Sequence, residues 1–206
     1  MIIFYILNQH YLIYKFYFKK EINMSNKIHK RQHHSNFAFK MITFMHDNPL
    51  LPIIRNPYKI LEKAGVKPGQ TVLEVGCGPG FFTIPAAKIV GKEGRVYTVD
   101  THPLAIERVQ NKINKAGINN VSLIHANASD TGLPDQSIDL AFMFGLPYIQ
   151  GGLDNLLTEL YRICKPGATL VFQKSRGSKE KLIAEVENKG FNYFEQKGRI
   201  FLFRKN

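Results

Sequence analysis

The stretch Thr71-Val-Leu-Glu-Val-Gly-Cys-Gly-Pro-Gly-Phe-Phe-Thr83 constrains this chain more than any other. A short apolar run, Thr71 to Val75, meets three glycines, Gly76, Gly78 and Gly80, ahead of an apolar segment of helical length, Phe81 to Val90, that Gly91 closes. A strand entering a glycine-rich turn that opens a helix lets main chain approach a ligand, because glycine puts no Cβ in the way. Spacing then selects among ligands. A dinucleotide loop needs G-x-G-x-x-G, and Phe81 stands where its third glycine would be. The lysine and hydroxyl residue of a triphosphate-binding loop are also missing, so a nucleoside triphosphate is not the expected ligand. Glu74 falls at the carboxyl end of the strand, where it can orient the loop or meet a cationic amine. Asp100 ends the next predicted strand about 20 residues past the loop, the separation at which a carboxylate accepts from both hydroxyls of a ribose.

The rest of the chain alternates. Asn56 and Pro57 open a predicted helix that Gly65 closes, an N-cap followed by proline in the first turn. Strands are predicted at Thr71 to Val75, Arg95 to Val99, Val121 to Ile124, Ile138 to Phe144 and Ala168 to Phe172. Helices are predicted at Phe81 to Val90, Pro103 to Ala116, Leu153 to Cys164 and Lys179 to Lys189, the third stopped by Pro166 and Gly167. Tyr193 to Gln196 and Arg199 to Arg204 then read as a hairpin joined by Lys197 and Gly198. Such alternation predicts an α/β fold, a mostly parallel sheet with helices on both faces and an antiparallel hairpin at its end.

A chain of 206 residues accommodates one such domain, and 44% hydrophobic with 21% charged residues suits a globular core. Cys77 and Cys164 lack ligand spacing and are too few for a disulfide framework, so a reducing cytoplasm is expected. His29, His33 and His34 have no acidic or cysteine partner at ligand spacing, and no metal is expected. Residues 1–44 read as a basic, aromatic N-terminal arm, 45–206 as the domain, with 45–66 a candidate lid and leading helix. Met1 to Phe18 is too short and too interrupted for a spanning helix, leaving a start misassigned ahead of Met24, an interfacial anchor or a flexible arm, the first being favoured. The formal charge of +12 is concentrated in this arm, at Lys15, Lys19, Lys20, Lys27, Lys30, Arg31 and Lys40. A solvated surface is the simpler explanation, with recruitment of RNA as the alternative.

Val72-Leu-Glu-Val-Gly-Cys-Gly-Pro-Gly80, Val99-Asp100, Ala126-Asn-Ala128 and Leu160-Tyr-Arg-Ile-Cys-Lys-Pro-Gly167 together resemble class I S-adenosylmethionine-dependent methyltransferases, especially the ubiquinone/menaquinone C-methyltransferase type. The likeness spans about half the chain, Lys67 to Leu170. It implies a Rossmann-like three-layer sandwich with a seven-stranded sheet, in which the closing hairpin has a place, and S-adenosylmethionine as cofactor. It also implies a cofactor site of Glu74, Gly76, Cys77, Gly78, Gly80, Asp100, Thr101, Asn127 and Ala128. There the loop would face the methionine part, Asp100 the ribose, and Asn127 with Ala128 the adenine edge.

The acceptor is less constrained. Quinone-modifying members of that family carry a long insertion after the fifth strand, whereas Gln173 to Ser178 runs almost directly into the next helix, which argues against a quinone. Met45 to Ile54 is the candidate lid, and within it His46 and Asp47 are weak candidates for base and orienter, a capped turn being favoured. Gly145-Leu-Pro-Tyr148 lacks the leading Asn or Asp of the amino-methyltransferase motif, so Tyr148, a third weak catalytic candidate, reads as a pocket wall or stacking surface, and His125 as a packed histidine. A sulfonium methyl needs mainly an aligned nucleophile, and a general base is optional. The leading expectation is methyl transfer to a small molecule; a macromolecular acceptor such as RNA and a non-catalytic cofactor-binding module are the alternatives.

Overall fold

Asn56 shows how local chemistry sets the first helix of the sheet-bearing region. In the computed structural model, which describes residues 39–41, 43, 44, 52, 55–145, 149, 152–173 and 178–206, its Oδ1 accepts from the amides of Tyr58 and Lys59. Pro57 takes the first turn of α1 (Pro57–Ala64), where a missing N–H costs no helical bond, and Gly65 leaves at φ 89°. The chain divides into two compact units, Met1–Lys40 and Met41–Asn206, and every strand among the described residues lies in the second.

After α1 come β1 (Thr71–Val75), α2 (Thr83–Val90), β2 (Arg95–Asp100), α3 (Pro103–Ala116), β3 (Val121–His125), β4 (Ile138–Phe144), α4 (Gly152–Ile163), β5 (Cys164–Gln173), α5 (Lys179–Glu187), β6 (Phe191–Lys197) and β7 (Ile200–Lys205). The seven strands form one sheet in the order β3-β2-β1-β4-β5-β7-β6. The first five pair in parallel, and β7 runs antiparallel to both β5 and β6. The expected α/β fold and its closing hairpin are therefore present. Strand order reverses between β1 and β4, and a crevice opens at the carboxyl ends of strands at such a reversal.

Both faces of the sheet are covered, which is why its central strands read as continuous apolar runs. On one face Leu73 and Val75 of β1 join Ala141 and Met143 of β4 beneath Leu156, Leu160 and Ile163 of α4. On the other, Val72, Leu140 and Phe142 pack with Leu61 of α1 and Ala86 and Val90 of α2. Glu159 anchors α4 through a polar contact: its Oε1 accepts from the amide and hydroxyl of Thr131 at 2.9 and 2.6 Å, and Arg162 donates to both its oxygens.

Three expectations shift. Cys164 does not end α4 but opens β5, and Pro166 and Gly167 lie within that strand. Ile138 faces Cys164 while Leu140 faces Thr169, so extra residues bulge out of the ladder there. The bulge is tied down by Lys165, whose Nζ donates to Asp139 Oδ1 at 2.7 Å, and Asp139 Oδ2 accepts from the Thr71 amide. The hairpin turn is Gly198 and Arg199, since Lys197 pairs with Ile200. The helix α5 stops at Glu187, not Lys189.

Leu160 is fully buried where α4 meets the sheet. Leu160→Ala is expected to cost about 2–5 kcal/mol, by lost transfer free energy plus the cavity left behind, read as a lowered midpoint in urea with little change in slope.

Candidate cofactor site

The glycine loop is pinned from several directions. The Gly76 amide donates to the Val99 carbonyl at 2.8 Å, and the Gly80 amide to Cys77 at 2.9 Å. Lys112 of α3 donates through Nζ to the Pro79 carbonyl at 2.7 Å. Gly78 and Gly80 both have positive φ, 49° and 80°, but their surroundings differ. A Cβ on Gly80 would meet Val109 Cγ2 at 3.0 Å, so this glycine lets α3 pack closely. A Cβ on Gly78 would meet nothing within 4 Å, so there the bare main chain faces open space.

Asp100, at the end of β2, holds that open turn. Its Oδ2 accepts from the Gly78 amide at 2.9 Å, with the Cys77 thiol at 3.8 Å, and its Oδ1 accepts from the His102 amide at 2.8 Å. An ionised carboxylate offers about four lone-pair sites, so Oδ1 keeps capacity for one more donor, and Oδ2 for another where a ligand replaces the long thiol contact. Cys77 is buried, and burial first, then the charges of Glu74 and Asp100, push its thiol above the usual cysteine range. A thiol held protonated in this way lines the turn and is a poor nucleophile.

Glu74 is 2% exposed beneath the loop. Its Oε2 accepts from Thr83 Oγ1 at 2.6 Å and Thr98 Oγ1 at 3.0 Å, tying β1 to the start of α2 and to β2. Burial raises its carboxyl to about 7, against the opposing effect of the two hydroxyl hydrogen bonds, with a further rise from Asp100. Sequence reasoning passed over both threonines. Their signal was present, since Thr98 is a polar residue within an apolar strand and pairs in register with Glu74.

Thr101, exposed, accepts through its carbonyl from, or faces, His125 Nε2 at 3.2 Å. His125 is itself exposed, at the end of edge strand β3, which corrects the expectation of a packed histidine. Beyond β3, Asn127 Oδ1 accepts from Ser129 at 3.1 Å and its carbonyl from Asp130 at 2.9 Å, forming a tight turn, while Ala128 packs against the core. The loop, Asp100, Thr101 and Asn127 thus share the carboxyl edge of β1, β2 and β3. His46, Asp47, Tyr148 and most of the candidate lid lie outside the described residues. Arg55 was not anticipated. Its Nη2 donates to Gln173 Oε1 at 2.5 Å, and its guanidinium lies 5.9 and 5.5 Å from the ring centres of Phe81 and Phe82.

A methyltransferase domain family model matches residues 66–200. The chain belongs to the methyltransferase domain family. It is 34% identical over 113 residues to a demethylmenaquinone methyltransferase of Geobacillus stearothermophilus, covering 54% of this chain and 48% of that protein. Against the ubiquinone/menaquinone biosynthesis C-methyltransferase UbiE of Hydrogenovibrio crunogenus, identity is 32% over 143 residues, 68% of this chain and 56% of the other. The chain spans about half the length of these curated relatives. A solved structure of a SAM-dependent methyltransferase from Aquifex aeolicus superimposes with a TM-score of 0.66 at 27% identity, over 81% of this chain and 95% of that one. The expected family and its Rossmann-like fold are both borne out.

The Glu74 carboxyl makes stability depend on pH. With its ordinary value at 4.5 and its folded value at about 7, the folded state keeps a proton that the unfolded chain has lost between those limits. Stability from this group is complete below pH 4.5 and falls as pH rises through 7, by about 3 kcal/mol in all. Glu74→Gln has no such proton to lose. In urea titrations at pH 5 and pH 8, the wild type is expected to lose more stability than this variant, and equal losses would refute the assignment.

Proposed function

We propose that this chain transfers a methyl group from S-adenosylmethionine to a small-molecule acceptor. The observation that carries the reading is the juxtaposition of open space over Gly78 with the Asp100 carboxylate bonded to that same residue's amide. Residues of this kind fit the cofactor. The bare turn admits a ligand chain against main chain, and the spare acceptor capacity of Asp100 suits vicinal hydroxyls. When bound, S-adenosylmethionine supplies a sulfonium methyl, already a strong electrophile.

The protein's contribution under this reading is placement. Gly76 to Gly80 form the floor under the methionine part, with Glu74 fixing the loop from below through Thr83 and Thr98. Asp100 and Thr101 serve the ribose, and Asn127 with Ala128 the adenine edge. Burial of Cys77 and Glu74 keeps water from the underside of the loop. Proximity and alignment account for most of the rate in such a transfer, so no side chain is required as a base.

Support for a small acceptor comes from the curated relatives, both named for quinone methylation. A quinone itself is less well supported, because β5 ends at Gln173 and α5 begins at Lys179, leaving little chain to cover a large apolar substrate.

Calorimetry tests the reading. S-adenosylmethionine is expected to bind the wild type and NAD not to bind. Asp100→Ala should weaken binding by about 1.5–3 kcal/mol through lost charge-assisted hydrogen bonds. Gly78→Ala should fold, at a cost of about 1–2 kcal/mol for a side chain in the left-handed region, yet lose affinity because its methyl enters the ligand space. Absence of S-adenosylmethionine binding by the wild type would end the proposal.

A further inference from the structure

The carboxyl edge of the sheet has a second half, on the β4 and β5 side of the switch point, that the cofactor residues do not use. Phe144 ends β4 and Gln173 ends β5. Phe82, directly after the glycine loop, lies edge-on to Phe144 with ring centres 4.9 Å apart. Above this aromatic floor the Arg55 guanidinium is held by the Gln173 amide oxygen and by the faces of Phe81 and Phe82. Arg199 lies in the β6–β7 hairpin turn immediately before Ile200, the residue paired with Gln173.

This arrangement is electrostatically incomplete. Arg55 is partly buried, and among the described residues no carboxylate pairs with it. Burial first, and the charge of Arg199 second, hold its guanidinium below the ordinary arginine range. The aromatic faces offset only part of the cost of burying a cation so placed. A guanidinium carries five N–H donors in a planar fork, and Gln173 engages one nitrogen, so the half-buried group keeps donors that a ligand can take up. Two arginines within electrostatic reach of each other, with no acid paired to Arg55 among the described residues, suit the uptake of a carboxylate or phosphate beside the glycine loop.

We infer that Arg55, seconded by Arg199, binds an anionic group of the methyl acceptor, so that the substrate is a small molecule bearing a carboxylate or phosphate. The inference rests on the methyltransferase reading and adds to it the charge of the acceptor. It divides the crevice into two halves, with the nucleoside over β2 and β3 and the acceptor's anion over β4 and β5. The aromatic floor beneath Arg55 would carry the uncharged part of that acceptor, next to the loop that holds the cofactor.

The test uses the full chain saturated with S-adenosylhomocysteine, into which benzoate and inorganic phosphate are titrated separately by calorimetry. At least one is expected to bind the wild type. Arg55→Gln should weaken that binding at least tenfold and Arg199→Gln severalfold, while Arg55→Lys retains part of it. Affinity for S-adenosylhomocysteine should stay within twofold in all three. Arg199 is exposed, so its variant reports even if Arg55→Gln folds poorly. Binding of benzoate alone assigns a carboxylate, and of phosphate alone a phosphorylated acceptor. No binding of either anion to the wild type, or equal binding to wild type and Arg199→Gln with Arg55→Gln folded and unchanged, would overturn the inference. A wild type that takes up neither S-adenosylmethionine nor its product would instead defeat the methyltransferase reading, and anion titration of the cofactor-free chain would then decide the arginine site separately.

Discussion

The Glu74 carboxyl under the glycine loop is the interaction on which the site depends. A carboxyl group with almost no exposure carries a desolvation penalty unless it is hydrogen-bonded or holds a proton; here two hydroxyls donate to it, and burial shifts it toward the protonated form. Its two threonine partners come from the start of α2 and from β2. Three elements therefore meet on one oxygen. The position of the loop above them follows, because Gly76 is bonded to Val99 and Gly78 to Asp100, the last two residues of β2. Rigidity is concentrated below the loop, and openness is left above Gly78.

Most of the architecture was legible because it is written locally. Alternating apolar segments, the Asn56-Pro57 cap and the helix-ending glycines depend on residues a few positions apart, and the elements formed where that chemistry placed them. The misreadings share a different cause. Pro166 and Gly167 look like a helix stop, but the start of β5 is fixed by pairing with β4, where Lys165 meets Asp139. The hairpin turn fell one residue later than expected because Lys197 is held in the ladder by Ile200. Register is a property of two strands, and one strand's sequence underdetermines it.

The same division runs through the candidate site. Gly78, Gly80 and Asp100 were legible from spacing, since a loop and the end of the following strand are adjacent in any such fold. Arg55 and Gln173 lie 118 positions apart, and neither residue type announces a partner. Only the folded sheet, by bringing the end of β5 beside the segment before α1, joins them. Under the proposed reading, the half of the crevice that would take the cofactor is encoded in a motif, and the half that would face the acceptor is assembled from distant, individually ordinary residues.

The place of β7 has a consequence for how the domain is made. It follows β6 in the chain yet lies inside it, between β6 and β5. During synthesis β5 emerges first and its outer edge stays an open row of unpaired main-chain groups until β7 has left the ribosome. Lys205, near the end of β7, then donates to the carbonyls of Tyr161 and Cys164, fastening the strand to the junction of α4 and β5. Because β6 pairs with β7 and not with β5, the hairpin adds to the sheet through β7, and until it does the five parallel strands keep an edge open to pairing with a foreign strand.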